Sequence, residues 1–147
     1  SVQEKEDGNL KSQKILLTWM IEDHSVFSQV KTYLSPEDFT GRIYREVAEL
    51  LYKQYEEGSV NPARILNHFT DEEEHREAAS LFHTKIRELS TKEEQEKALK
   101  ETVIRVKNHS IEEAGRTLDP TDIRGLQKLM EAKKDLQKLY QMQISIK

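Results

Sequence analysis

The fold is decided by residues 90–147, which have the sequence STKEEQEKALKETVIRVKNHSIEEAGRTLDPTDIRGLQKLMEAKKDLQKLYQMQISIK. This stretch predicts two long helices that are joined by one tight corner at Leu118-Asp119-Pro120. Asp119 is the expected N-cap of the second helix. Pro120 is expected at the first helical position, where its missing backbone N–H costs nothing. The second helix is therefore predicted from about residue 121 to about residue 142.

The first of these two helices is predicted to begin at Ser90 or Thr91. Glu93 stands three positions after Ser90, so that a hydroxyl and a carboxylate can satisfy each other's unpaired backbone donors. Nothing from residue 92 to residue 114 forbids a helix. The run Asn108-His109-Ser110 contains three poor helix formers, and it leaves two alternatives open. Either the helix continues through this run to a length of about 39 Å, or it bends here and forms a hinge.

The second helix carries apolar residues at steps of three and four, the spacing of one helix face. Lys133 interrupts this stripe, and the preceding helix can cover only part of it. The remainder is therefore predicted to bind another protein. The alternative is packing on the preceding helix near Val106, Ile111, Ala114 and Leu118. Leu136, Leu139 and Tyr140 are expected to be exposed, and the chain itself is not expected to enclose all three.

Residues 1–118 are predicted to form a helical bundle, and residues 119–147 a hairpin arm that the bundle holds away from itself. Five helices are expected before the long one, at about residues 9–23, 25–33, 41–57, 61–69 and 70–89. Asn9 is the expected cap of the first, which is apolar on more than one side and is therefore the expected central helix. Phe39 is expected to fill the core, and Gly58 to end the third helix. The predicted fold class is all-α, a multi-helix bundle followed by a C-terminal helical hairpin arm.

Composition limits the class of protein. Hydrophobic residues make up 35% and charged residues 34% of the chain, which suits amphipathic helices around one core. There is no cysteine, so disulfides and thiolate metal sites are excluded, and a reducing, cytoplasmic location is expected. The longest nearly apolar run, residues 15–21, is too short to cross a bilayer. The charged first seven residues lack the apolar centre of a secretion signal.

No catalytic motif is recognisable in the chain. Gly-rich phosphate loops, the GxSxG motif and dinucleotide fingerprints are missing. Glu72 and His75 have the ExxH spacing of a di-metal bundle, but such a site requires a second ExxH and two more glutamates. No other histidine follows a glutamate at that spacing. We therefore expect no catalytic residue, no metal site and no cofactor, and we do not expect an enzyme.

Four lysines are predicted to form a basic strip on the last helix, at Lys128, Lys133, Lys134 and Lys138. From residue 119 onward six Lys and Arg stand against four Asp and Glu, although the net charge of the whole chain is -4. Duplex DNA would require several phosphate contacts on one basic face, and most aromatic residues fall at core-facing positions, which disfavours a base-stacking platform. A nucleic-acid-binding helical domain nevertheless stays open as the alternative function.

Four stretches carry a resemblance to a known family. They are Leu16-Leu17-Thr18-Trp19-Met20, Leu34-Ser35-Pro36-Glu37-Asp38-Phe39, residues 44–51 and residues 119–140. Through them the whole chain resembles the C-terminal helicase-binding domain of bacterial replicative DNA primases, in the form found in thermophilic bacilli. The matching features are packing patterns, and none of them is a catalytic signature.

The resemblance implies both a fold and a function. In that family a bundle similar to the N-terminal domain of the hexameric replicative helicase is followed by a helical hairpin. The hairpin docks on the N-terminal collar of the helicase ring, and the bundle is linked with stimulation of the helicase. The implied role is a non-catalytic module that recruits primase to the replication fork, with no direct nucleic-acid contact and no membrane contact. The implied helicase-binding residues, with their neighbours, are Ile123, Leu126, Leu129, Met130, Lys133, Lys134, Leu136, Leu139 and Tyr140.

Overall fold

The structure is a computed structural model that describes residues 2–83 and 91–146, with side chains from residue 8 onward. In this part of the chain there are seven α-helices, one 3₁₀ turn and no strand, which confirms the predicted all-α class. The helices are α1 (Val2–Glu22), α2 (His24–Val30), α3 (Arg42–Glu57), α4 (Pro62–His68), α5 (Glu72–Ser80), α6 (Lys92–Thr117) and α7 (Ile123–Gln141). The 3₁₀ turn (Pro36–Asp38) lies between α2 and α3.

α1 is the central helix of the bundle, as predicted. Leu16, Leu17 and Met20 are completely buried, and the helix packs against α2, α3 and α6. The predicted start of α1 at Asn9 is wrong, because the helix already begins at Val2. Asn9 does not act as the cap. Its amide nitrogen instead lies 2.8 Å from Nδ1 of a histidine on α6, which joins the two helices.

Two tyrosine hydroxyls attach α3 to the elements before it. Tyr55 donates a hydrogen bond to the carbonyl of Met20 at 2.6 Å, and Tyr52 donates one to the carbonyl of Leu34 at 2.6 Å. The rings of Tyr55 and Phe27 stack with their centroids 4.0 Å apart. These bonds satisfy carbonyls that the bundle would otherwise leave unpaired. Phe39, which follows the 3₁₀ turn, is fully buried as predicted.

Short local motifs set the ends of the middle helices. Gly58 has a φ of 101° and ends α3 as predicted, since glycine adopts this left-handed backbone without strain. The side chains of Asn61, Asp71 and Thr91 cap α4, α5 and α6. α5 ends at Ser80. The predicted continuation of this helix to residue 89 and the alternative cap at residue 90 fall on residues 84–90, outside the described part of the chain.

α6 runs without a break through Asn108-His109-Ser110, so the continuous alternative is the one observed. Contacts with the bundle explain why these poor helix formers are tolerated. His109 bonds to the Asn9 amide on α1. Ser110 donates its hydroxyl to a carboxylate oxygen of Asp38 at 2.7 Å. The side chains of His109 and Ser110 are thereby occupied, and they do not compete with the helical backbone.

The corner between α6 and α7 differs from the prediction. The carboxylate of Asp119 accepts hydrogen bonds from the N–H and the hydroxyl of Thr121, at 2.9 and 2.8 Å. The backbone bond, and then the hydroxyl bond, hold the pKa of Asp119 below its usual value. The N-cap of α7 is Asp122, which accepts from the N–H of Gly125 at 2.9 Å. Asp119 as N-cap and Pro120 as first helical residue are therefore wrong. The N–H of Asp122 donates to the carbonyl of Asp119 at 2.9 Å and closes a single turn, and α7 begins only after that turn.

The last described residues return to the bundle. Ile144 and Ile146 are 4% and 3% exposed and belong to the core. The side-chain amide of Gln29 on α2 donates to the carbonyl of Ser145 at 2.8 Å and accepts from its N–H at 2.9 Å. The N–H of Ile146 bonds to a carboxylate oxygen of Glu96 at 2.6 Å. The expectation that the bundle holds the arm away from itself is wrong at this end, because the core accommodates both isoleucines.

Candidate interaction face of the C-terminal helix

α7 lies antiparallel against α6. Near the corner, a Cβ added to Gly115 would lie 3.9 Å from the side chain of Leu129. At the far end, Nζ of Lys100 donates to the carbonyl of Tyr140 at 2.7 Å. The end of α7 therefore lies beside the first half of α6, where α6 belongs to the bundle. This pairing determines which side of α7 is covered.

The inner side of α7 faces α6. Successive residues of a helix are rotated by about 100°, so that Leu129, Leu136 and Leu139 lie on the same side. Leu129 and Leu136 are half-buried, and Leu139 is fully buried in the core. The predicted exposure of Leu139 is therefore wrong. The reason is its position beside the part of α6 that carries the buried Leu99 and Val103.

The other side of α7 exposes apolar side chains to solvent. Ile123 is 70% exposed, Met130 62%, Tyr140 57% and Leu126 38%. Of the five large hydrophobic residues that are exposed in the described part of the chain, four are these, and Leu10 on α1 is the fifth. We call the side formed by Ile123, Leu126, Met130, Lys133, Lys134 and Tyr140 the outer face of α7. The prediction that the chain does not enclose all three of Leu136, Leu139 and Tyr140 is confirmed by Tyr140, although Leu136 is only half-exposed.

Lys133 lies on the outer face and is exposed. The expectation that it interrupts the packing of α7 is wrong, because the residues that meet α6 lie on the inner side. Lys133 and Lys134 instead separate the apolar residues at the start of the outer face from Tyr140. Neither lysine forms an ion pair within the described residues. Both ammonium groups are thus available to carboxylates of a partner.

The four lysines of the predicted basic strip do not share one side of α7. Lys128 and Lys133 are five residues apart, which places them about 140° apart around the helix. Lys128 lines a cleft between α7 and the bundle, whereas Lys133 belongs to the outer face. Binding to duplex DNA would favour several cations on one surface. The distribution of charge on α7 does not provide such a surface.

Two further features of the described residues concern metal ions and membranes. Among residues 8–83 and 91–146, no group of three or more His, Asp or Glu side chains is placed to hold a metal ion. Glu72 and His75, which have the ExxH spacing, are both exposed on α5, and Glu72 pairs with Arg76 at 3.6 Å. None of the described helices combines the length and the apolarity that a bilayer span requires.

Sequence reasoning missed the return of the tail to the bundle. Ile144 and Ile146 alternate with polar neighbours, which is the pattern of an extended segment with one buried side. This signal is short and could have indicated a buried tail, but it could not have identified Gln29 as the partner. The contact matters for the outer face, because it fixes the end of α7 that carries Tyr140.

Comparison of the chain with known proteins identified no relative. No protein-family model matches the chain, and neither a curated protein nor a solved structure matches it. Function is therefore inferred from the geometry of α7 and from the resemblance in sequence described above.

Proposed function

We propose that this chain is the helicase-binding module of a replicative primase. The outer face of α7 docks on the N-terminal collar of the hexameric helicase and brings primase to the replication fork in the cytoplasm, and the bundle stimulates the helicase. The observation that carries the proposal is the concentration of exposed large hydrophobic residues on one side of one helix. The resemblance in sequence supplies the identity of the partner.

The spacing of the outer face fits binding of a helix in a groove. Ile123, Leu126 and Met130 stand at positions i, i+3 and i+7, which is the spacing of anchor residues in this mode of recognition. Full burial of a large apolar side chain is worth about 1.5–3 kcal/mol. Part of this free energy offsets the translational and rotational entropy that the two proteins lose when they associate. Ile123 and Met130, the two most exposed of the three, are therefore the expected anchors.

The polar residues of the outer face have a different role. Lys133 and Lys134 are exposed, and at the rim of an interface such charges set association rate and register more than affinity. Neutralising them is expected to slow association and to weaken its dependence on salt. Neutralising them is not expected to abolish the complex.

The test is a titration of this chain against purified hexameric replicative helicase. Ile123→Ala together with Met130→Ala is expected to weaken binding by at least tenfold, because two anchors are truncated. Both residues are exposed, so the helical circular dichroism should not change. The matched control is Leu10→Ala, which truncates the one large hydrophobic residue that is exposed elsewhere in the described chain. Equal binding by the double variant and the control would contradict the proposal.

A nucleic-acid-binding domain is the alternative, and salt distinguishes it. Retention on DNA would fall steeply as salt increases, since each phosphate contact releases counterions. Docking through the outer face should depend on salt far less, because Lys133 and Lys134 are the only cations on this face. A steep salt response on single-stranded DNA, without complex formation with helicase, would favour the alternative.

A further inference from the structure

A concave surface lies on another side of the hairpin from the outer face. It is a cleft of about 820 Å³ between the α6–α7 pair and the segment that joins α2 to α3. Its floor includes Ile111 and Ala114 of α6 and Leu129 and Ala132 of α7. We call it the hairpin cleft. Its volume lies within the range of roughly 300–1,000 Å³ that is usual for binding pockets, so it has room for several side chains of a partner.

The hairpin cleft is rich in carboxylates. Seven acidic residues line it against three basic ones. The acidic residues are Glu37, Asp38, Glu113, Asp119, Asp122, Glu131 and Asp135, and the basic ones are Arg45, Lys107 and Lys128. A concave surface of one dominant sign concentrates the field of its charges. The cleft therefore favours a cationic occupant.

Two of the three basic side chains in the cleft already form an ion pair or hydrogen bonds with other residues of the bundle. Lys107 is 5% exposed and lies 3.5 Å from a carboxylate oxygen of Asp38. The guanidinium of Arg45 donates to the carbonyls of Phe39 and Glu37, at 3.0 and 3.2 Å. These cations hold the wall of the cleft together, and Lys107 neutralises only Asp38. Neither of them pairs with a carboxylate of α7, and Lys128 is the one basic residue of the cleft on that helix.

On α7, Glu131 and Asp135 are the cleft carboxylates that remain for a partner. Neither forms an ion pair within the described residues, although α7 also carries several lysines. They are four residues apart, so they lie on one side of α7 at a separation of about 6 Å along its axis. A second helix with arginine or lysine at positions i and i+4 has the same separation. The apolar floor lies beside both carboxylates.

We propose that the hairpin cleft is a docking site for a basic helical segment of a partner protein. Arginine or lysine residues four positions apart pair with Glu131 and Asp135, and a small apolar side chain between them contacts Ala114 and Ala132. Nucleic acid and anionic membranes carry the wrong charge for this cleft. Asp135 lies about 140° around α7 from Met130 of the outer face. The inference therefore does not depend on the helicase-binding role.

The probe is a fluorescent alanine-rich helical peptide with two arginines four positions apart and a valine between them. Its twin carries glutamates in place of the arginines. Fluorescence anisotropy is measured for both peptides with the full chain at physiological salt. The arginine peptide is expected to bind, and Glu131→Gln with Asp135→Asn should raise its Kd about tenfold. The glutamate peptide should not bind.

The matched control is Glu56→Gln with Glu57→Gln, which makes the same charge change on exposed residues at the end of α3. This variant should keep the affinity of the unmodified chain. Met130→Ala on the outer face should also leave peptide binding unchanged, which separates this site from the helicase-binding proposal. Equal weakening by the α7 and α3 variants would show diffuse attraction and overturn the inference. Failure of the arginine peptide to bind, or binding of both peptides, would overturn it as well.

Discussion

Tyr52 shows how one side chain stabilises the bundle on which the hairpin rests. Its hydroxyl donates to the carbonyl of Leu34 at 2.6 Å. Burial raises its pKa above the usual value of about 10, and the charge of Asp38 raises that pKa further. The folded chain therefore keeps this proton at a pH where the unfolded chain has lost it. The contribution to stability is complete below about pH 10 and is lost as the pH rises toward the folded pKa.

Tyr52→Phe is expected to lower the free energy of unfolding near pH 7 by about 1–2 kcal/mol, because the carbonyl of Leu34 loses its donor. Above pH 10 the variant should lose stability less steeply than the unmodified chain, by up to about 1.4 kcal/mol per pH unit. Denaturant unfolding over a pH series measures both effects. Tyr33→Phe is the control, since the Tyr33 hydroxyl has no hydrogen-bond partner within the described residues. Equal alkaline slopes for Tyr52→Phe and the unmodified chain would contradict this account.

At the scale of elements, the tail that follows α7 attaches the hairpin to the bundle. Ile144 and Ile146 are buried, and Gln29 forms two hydrogen bonds with the backbone of Ser145. These contacts join the end of α7 to α2. The corner at Asp119 fixes the other end. α7 is therefore held at both of its ends, and its outer face has a defined orientation.

Ile144→Ala with Ile146→Ala is expected to destabilise the chain by at least about 2 kcal/mol, because two core side chains are truncated. Hydrogen exchange should accelerate in the second half of α7, which loses its attachment, and stay nearly unchanged in α3. The control is Gln143→Ala, a truncation of an exposed residue in the same segment. If exchange in α7 does not respond to loss of the isoleucines, the tail does not hold the helix.

At the scale of the whole molecule, much of the architecture could be predicted from the sequence. The central role of α1, the burial of Phe39 and the end of α3 at Gly58 all follow from local pattern and are observed. These features depend on residues close in sequence. A buried apolar helix and a left-handed glycine each have a short, specific signal.

Other features depended on contacts that are distant in sequence. Apolar residues lie on both the inner side and the outer face of α7. Their spacing would allow either side to pack against α6. The rotation of α7 about its axis is fixed by the turn at Thr121 and by the tail on Gln29. The sequence pattern therefore predicted correctly that Tyr140 is exposed, but it also predicted exposure for Leu139, which is buried. The uninterrupted course of α6 likewise required Asp38 and Asn9 as partners.

The central claim is that the outer face of α7 is covered by another protein. The methionine methyl groups test it most directly, because Met130 on this face is 62% exposed and Met20 in the core is fully buried. Methyl resonances of ¹³C-methionine-labelled chain are followed during addition of hexameric replicative helicase. We predict that the Met130 resonance shifts while that of Met20 stays in place. An unchanged Met130 resonance in a mixture that elutes as a complex, or no complex at all, would contradict it.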